Sequence, residues 1–395
     1  LEALADASLV REDPDTGRWR MHDLVRAYAT EQAARHPHSA TALTRLHRHY
    51  IRTARAANTH LNLASSGDRE HFPDRSTALA WLDAERANLL ATVHQAHALG
   101  HHGTTMELAS LLGNYLRSRR YLQDDLDTAT LAHDAAMSFG DRPSEGVAWN
   151  NLGTALQELR RFDQALDAHQ HALDICRDLG DRHGEGIAWN NLGAALQEVQ
   201  RFGAALDAHQ HALDIHRDLG DRHGEGTAWN NLGTALQELR HYDEALQAHQ
   251  HALDIHHSLG DRHHEGRAWN NLGIALQELG RYDEALQAHQ HALDIHHSLG
   301  DRHHEGRAWN NLGTAWRGTG AYEQAVEAGE QAVAVFRELN DAYREGQALD
   351  ELSDTLRAAG HPADRVRATR EASATAYRAA GADTEAEEVL AKEDG

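Results

Sequence analysis

The residues best placed to do chemistry are the histidines, thirty-three of them in a chain of 395. An imidazole can ligate a metal, move a proton or respond to pH near neutrality. Two rings on one helix chelate an ion at i,i+4 spacing, which sets them on the same face. His249, His251, His256 and His257 contain no such pair, and neither do His289, His291, His296 and His297. His249 and His256 would stand about 10.5 Å apart along a helix, too far to share one ion. The expectation is that no metal site exists. Protonating every histidine adds 33 charges and moves the formal charge from −23 to +10, so acid near pH 6 is a liability for stability and solubility. Acids, bases and nucleophiles are plentiful, but they recur in rows that read as solvent-facing, with no pocket implied. No enzyme activity is expected of this chain.

Amides form the second set. Paired asparagines recur as Asn150-Asn151, Asn190-Asn191, Asn230-Asn231, Asn270-Asn271 and Asn310-Asn311. A side-chain amide donates and accepts at once, so a ladder of them can bond the C=O and N–H of an extended peptide whatever its sequence. The single Cys176 stands where other blocks carry His216, His256 and His296, and one cysteine makes no internal disulfide. It reads as an incidental surface or edge thiol.

A repeat must position these residues. Gly-Asp-Arg-His-x-Glu-Gly-x-Ala-Trp-Asn-Asn-Leu-Gly opens blocks at Gly180, Gly220, Gly260 and Gly300, forty residues apart, with a variant at Gly140. Trp269, Leu272, Ala275, Leu276 and Leu279 fall at helical spacing, as do Ala285, Leu286, His289, Ala292, Leu293 and Leu299 after Gly280-Arg281. Each block is a helical hairpin. Gly260 suits the left-handed position ending one helix, Asp261 can cap the next, and Glu265 sits favourably in its first turn. Gly273, Ala285 and Ala292 allow close approach. Residues 242–273 and 282–313 are identical, which marks a recent duplication.

Trp269, Leu272-Gly273, Tyr282, Ala285 and Ala292 stand where the tetratricopeptide repeat (TPR) carries its signature, so the array resembles the forty-residue type of that family. The resemblance implies a mainly α fold, a right-handed superhelical solenoid. It also implies that first helices line the concave side, where the second asparagine of each pair, Asn151, Asn191, Asn231, Asn271 or Asn311, reads a peptide backbone. One turn before the pairs come Val147, Ile187, Thr227, Arg267 and Arg307, so an apolar N-terminal stretch of groove should give way to a mixed-charge one. Arg267 and Arg307 join the ten asparagines as expected peptide-binding residues.

The first thirty-five residues follow another pattern. Residues 1–7 are helical, 8–12 and 18–22 alternate as strands around Pro14-Asp15-Thr16-Gly17, and 24–34 resume a helical period. Arg20-Met21-His22-Asp23 at the hairpin exit resembles the end of the winged-helix domain in STAND (NB-ARC-like) nucleotide switches, including actinobacterial regulators. Residues 46–57 and 80–89 resemble the helical connector of those regulators. By this resemblance His22 touches the β-phosphate of ADP in a full-length parent, and Asp23 steadies the hinge. ADP or ATP with magnesium and an intramolecular nucleotide-binding domain are then implied for the parent. The one lysine, Lys392, follows no glycine-rich loop, so this chain holds no P-loop and no cofactor of its own.

The expected layout is a winged-helix remnant at 1–35, a connector at 36–99, a divergent repeat at 100–139, five repeats at 140–339, another divergent repeat at 340–380, and a capping helix with tail at 381–395. A start at Leu1 suggests the C-terminal part of a longer protein. The net charge of −23 disfavours nucleic acid, whose phosphates demand Lys and Arg. No apolar run approaches eighteen residues and no signal peptide is apparent, so the default location is cytoplasmic, away from membranes. The expected function is a protein- or peptide-binding TPR sensor arm of a STAND switch. The alternative is a free-standing TPR adaptor with no nucleotide-linked role.

Overall fold

Glycine and aspartate punctuate the array as their chemistry dictates. Gly180, Gly220, Gly260 and Gly300 end helices with φ between 64° and 67°, in the left-handed region that a Cβ disfavours. The next residue caps the following helix: Asp181 accepts from the Gly184 N–H at 3.0 Å, Asp221 from Gly224 at 3.0 Å and Asp261 from His264 at 3.2 Å. Glu265 of the first turn is tied down by Arg262 at 2.8 Å and by His257 at 3.0 Å.

A computed structural model describes residues 9–13, 18–21, 23–61 and 71–392. The expected helix at 1–7 and the residue His22 lie outside the described residues. Strands β1 (Val10–Asp13) and β2 (Arg18–Met21) form an antiparallel pair with Val10 opposite Met21. Helices α1 (Asp23–Arg35), α2 (Ser39–Leu61) and α3 (Arg75–Ala98) follow. Hairpins then succeed one another: α4 (His102–Ser118) with α5 (Leu122–Phe139), α6 (Arg142–Glu158) with α7 (Phe162–Leu179), and α8 (Arg182–Glu198) with α9 (Phe202–Leu219). The series continues with α10 (Arg222–Glu238) and α11 (Tyr242–Leu259), α12 (Arg262–Glu278) and α13 (Tyr282–Leu299), then α14 (Arg302–Thr319) and α15 (Tyr322–Glu338). Helices α16 (Ala342–Ala358) and α17 (Ala363–Ala379) form the last hairpin, against which α18 (Asp383–Ala391) packs.

From Trp149 to Trp309 the core runs on from cluster to cluster. Trp189 and Trp229 each pack against two successive apolar clusters, as do Trp269 and Trp309 further on. Each tryptophan therefore joins its repeat to its neighbours, which is how a solenoid buries what a single hairpin cannot. The first helices of successive hairpins touch one another, α8 with α10 and α10 with α12, whereas the second helices make no comparable contact. First helices thus occupy the inner side of the curve. Among the described residues no helix is long and apolar enough to cross a membrane.

Candidate functional site

The inner face carries the asparagine pairs, and its geometry divides them. Asn190, Asn230 and Asn270 are buried. Their side chains are engaged inside the array: Asn271 donates Nδ2 to Asn230 Oδ1 at 3.1 Å, and Asn311 to Asn270 Oδ1 at 2.9 Å. Asn150 Oδ1 accepts from Asn191 at 2.9 Å and also faces His169 Nδ1 at 3.3 Å. The expectation that the first members also face a ligand is corrected here, because Asn150, Asn230 and Asn270 join repeats and Asn190 Oδ1 faces His209 Nδ1 of its own hairpin at 3.2 Å. Asn310 is half-buried beside them. The second members, Asn151, Asn191, Asn231, Asn271 and Asn311, are half-buried, and Asn191, Asn271 and Asn311 give Nδ2 to a neighbour.

One turn earlier on the same face, Val147 is 58% exposed and Ile187 38%, an apolar start to the groove. Further along come Arg267 and Arg307, half-buried and without an ion pair or hydrogen bond among the described residues. Burial lowers the pKa of Arg307 to about 10, with Arg344 and Arg267 adding like-charge repulsion and Asp301 opposing it. Arg267 is lowered by burial as well. Neither guanidinium makes an ion pair among the described residues, though Asp301 acts on both from farther off and Asp261 on Arg267.

The histidines divide: eight described ones are buried, while others, such as His257 and His297, stand in solvent. His169, His209, His249 and His289 each lie fully buried against a glycine of the paired helix, Gly153, Gly193, Gly233 and Gly273. A Cβ at Gly233 would meet the His249 ring at 2.6 Å, so only glycine leaves room. Desolvation holds these rings neutral, with pKa near 4 for His169 and His209 and near 3 for His249 and His289. The packing role expected of His289 is what the structure shows. Exposed-row behaviour is not, and the folded chain cannot reach the +10 of full protonation at mildly acid pH. Cys176 likewise is buried rather than at a surface, and burial with Asp181 and Glu185 nearby raises its pKa, leaving an unreactive thiol.

A second histidine set gathers between repeats. Oxygen Oδ2 of Asp261 faces His264 Nδ1 at 2.8 Å, His223 Nε2 at 3.1 Å and His256 Nδ1 at 3.8 Å. The duplicated block repeats this at Asp301, with His304 at 2.9 Å, His263 at 3.1 Å and His296 at 3.8 Å. Spacing along one helix does not reveal these groups, because their members come from three. His223 belongs to α10, His256 to α11, and Asp261 with His264 to the start of α12. The available signal was the fixed register of all four across the forty-residue period.

Residues 144–338 match the tetratricopeptide repeat family in four overlapping segments, 144–218, 184–258, 224–298 and 264–338, and this part of the chain is a run of such repeats. The chain is similar to the regulatory protein AfsR of Streptomyces griseus, 40% identical over 116 residues, and to AfsR of Streptomyces coelicolor, 33% identical over 167. Those matches cover 25% and 38% of this chain and only 12% and 16% of the regulators. Among solved structures, a Pyrococcus horikoshii STAND protein with a tetratricopeptide repeat sensor aligns with TM-score 0.58 at 15% identity, over 99% of this chain and 57% of that one. The apo form of RapI aligns with TM-score 0.56 at 15% identity, over 74% of this chain and all of its own. At such identities the likeness is one of fold.

Proposed function

We propose that this chain is the ligand-sensing arm of a STAND-type regulator, in which the repeat array takes a protein or peptide partner on its inner face and passes the event to a nucleotide switch. The observation that carries this reading is the inner face itself: half-buried second asparagines in series, ending at Arg267 and Arg307, which make no ion pair among the described residues. Amides bond the partner's backbone, Val147 and Ile187 receive an apolar end, and the arginines receive carboxylates. An extended peptide with acidic residues at one end fits that order.

The link to a switch is supported by Met21-His22-Asp23 after a β-hairpin, by the similarity to AfsR regulators, and by a fold shared with a STAND protein along nearly the whole chain. His22 would contact ADP in the full-length parent, where magnesium and the phosphates are held by a P-loop that this chain lacks. This chain's own contribution is then a bias between two states of the parent. A partner shifts that balance only if it binds the array better when the switch is open, since equal affinity for both states shifts nothing. Reading the gene in frame upstream of Leu1 tests the proposal. A G-x-x-x-x-G-K-[ST] motif followed by the rest of a winged helix is expected. An upstream frame without a P-loop overturns the nucleotide link and leaves a TPR adaptor. Localisation in the cytoplasm and the absence of direct nucleic-acid binding belong to the same proposal.

A further inference from the structure

Two junctions between repeats hold more donor atoms than their hydrogen bonds use. Asp261 divides its carboxylate: Oδ1 caps α12, while Oδ2 faces the three imidazoles described above. His223, Asp261 and His264 bring one ligand atom each to within 4.8 Å of one another, and His263, Asp301 and His304 do the same. His256 and His296 stack on His264 and His304 with ring centroids 5.0 and 4.9 Å apart. Both are 1% exposed, and neither ring nitrogen of either has a hydrogen-bond partner. A buried imidazole left unbonded is costly unless something else satisfies it.

From this geometry we infer that the array carries two equivalent transition-metal sites, His223–His256–Asp261–His264 and His263–His296–Asp301–His304, each taking a divalent cation of the zinc type. Metal–ligand bonds of about 2.0–2.1 Å in a tetrahedron separate donors by about 3.3 Å. The distances of 2.8 and 3.1 Å to Asp261 Oδ2 lie near that edge, and His256, at 3.8 Å and outside the set whose atoms all lie within 4.8 Å, would swing in to complete the tetrahedron. Three nitrogens and one carboxylate oxygen are an ordinary donor set for zinc. Arg267 lies one turn beyond His264 and adds a like charge, so the sites bind more weakly than a closed thiolate site would. Since the ligands come from α10, α11 and α12 at one site and α12, α13 and α14 at the other, the ion staples consecutive repeats and stiffens the duplicated part of the array.

The other junctions show what completes the set. Asp221 gathers His216 at 2.9 Å and His183 at 3.6 Å into a three-ligand set within 4.8 Å, but Gly224 stands where the duplicated junctions carry a further imidazole, so a fourth ligand is missing. At Asp341 only His303 remains, at 3.3 Å, with Phe336 and Arg344 in the other two positions.

The test is zinc titration of the whole chain, stripped of metal and held against a competing chelator, alongside Asp261→Asn/Asp301→Asn. Asparagine still caps a helix, so circular dichroism should report unchanged helix content. Asp141→Asn is the control, because Asp141 caps α6 through Ser144 with no imidazole bonded to it among the described residues. Two tight equivalents are expected in the parent chain and in the control, both weakened at least tenfold in the double variant. Zinc should raise the parent's melting temperature and leave that of the double variant unmoved. Equal zinc affinity in the parent and the folded double variant, or no tight equivalents in the parent, would overturn the inference.

Discussion

At the residue scale the buried imidazoles govern the response to acid. His169, His209, His249 and His289 have folded pKa values near 3 to 4, against about 6.5 in an unfolded chain. Between those values the unfolded chain binds more protons, so the stability these rings confer is complete above about pH 6.5 and is lost as pH falls toward 4. Each unit of depression is worth about 1.4 kcal/mol. His223, raised by its bond to Asp261, acts in the opposite sense, its contribution being full below its unfolded pKa and fading as pH rises through the folded one. Four rings outweigh one. The melting temperature should hold from pH 8 to 7 and fall steadily from about 6.5 to 4.5; a flat profile would show that the rings titrate freely. Gly233→Ala should cost about 1–3 kcal/mol in urea unfolding, since its Cβ would press a fully buried ring at 2.6 Å. The sequence made His289 legible as a packing residue, because its spacing put it on the apolar stripe. It hid the Asp261 and Asp301 clusters, because proximity there arises from stacking rather than from spacing along one helix.

At the element scale the helices were written in capping chemistry, and their existence follows from the Gly-Asp pairs and the period of the apolar residues. Turns inside the hairpins were less legible. Arg120, Arg160, Gln200 and Arg240 take positive φ, near 60°, where Gly280, Gly320 and Gly360 stand in later repeats. No rule of apolar spacing reveals that a long polar residue has been forced into a glycine's conformation. Relieving it should help: Arg160→Gly and Arg240→Gly are each expected to stabilise by roughly 1 kcal/mol, read as a higher urea midpoint with unchanged slope. A lower midpoint would mean that the side chains matter more than the backbone. Trp229 joins two clusters but is only half-buried, with His251 stacked on it at 4.7 Å and Arg217 over its ring at 4.9 Å. Trp229→Ala should cost near the lower end of about 3–5 kcal/mol. Hydrogen exchange should then rise in α8 through α13 before the ends of the array, as nearest-neighbour coupling requires.

At the scale of the whole molecule, a core that runs from repeat to repeat along stacked hairpins leaves one long inner face. The asparagine ladder was visible in the sequence, and the resemblance already favoured the second of each pair, but the contacts that engage the first members were not. Most of those contacts join first helices forty residues apart, which only the stacked array fixes. Arg267 and Arg307 were visible as positive charges, while their lack of an ion pair among the described residues emerges only from the packed structure. The identical segments 242–273 and 282–313 also make neighbouring faces interchangeable, so concentrated samples should form swapped dimers whose proportion rises with concentration. The claim that the inner face binds an extended, acidic peptide is tested most directly by selecting a displayed random-peptide library on this chain and on Asn231→Ala/Asn271→Ala/Arg267→Ala/Arg307→Ala, with helix content checked for both. Peptides enriched in Asp and Glu toward one end, retained by the parent chain and lost by the variant, are the expected result. No enrichment, or the same peptides selected by both chains, would contradict it.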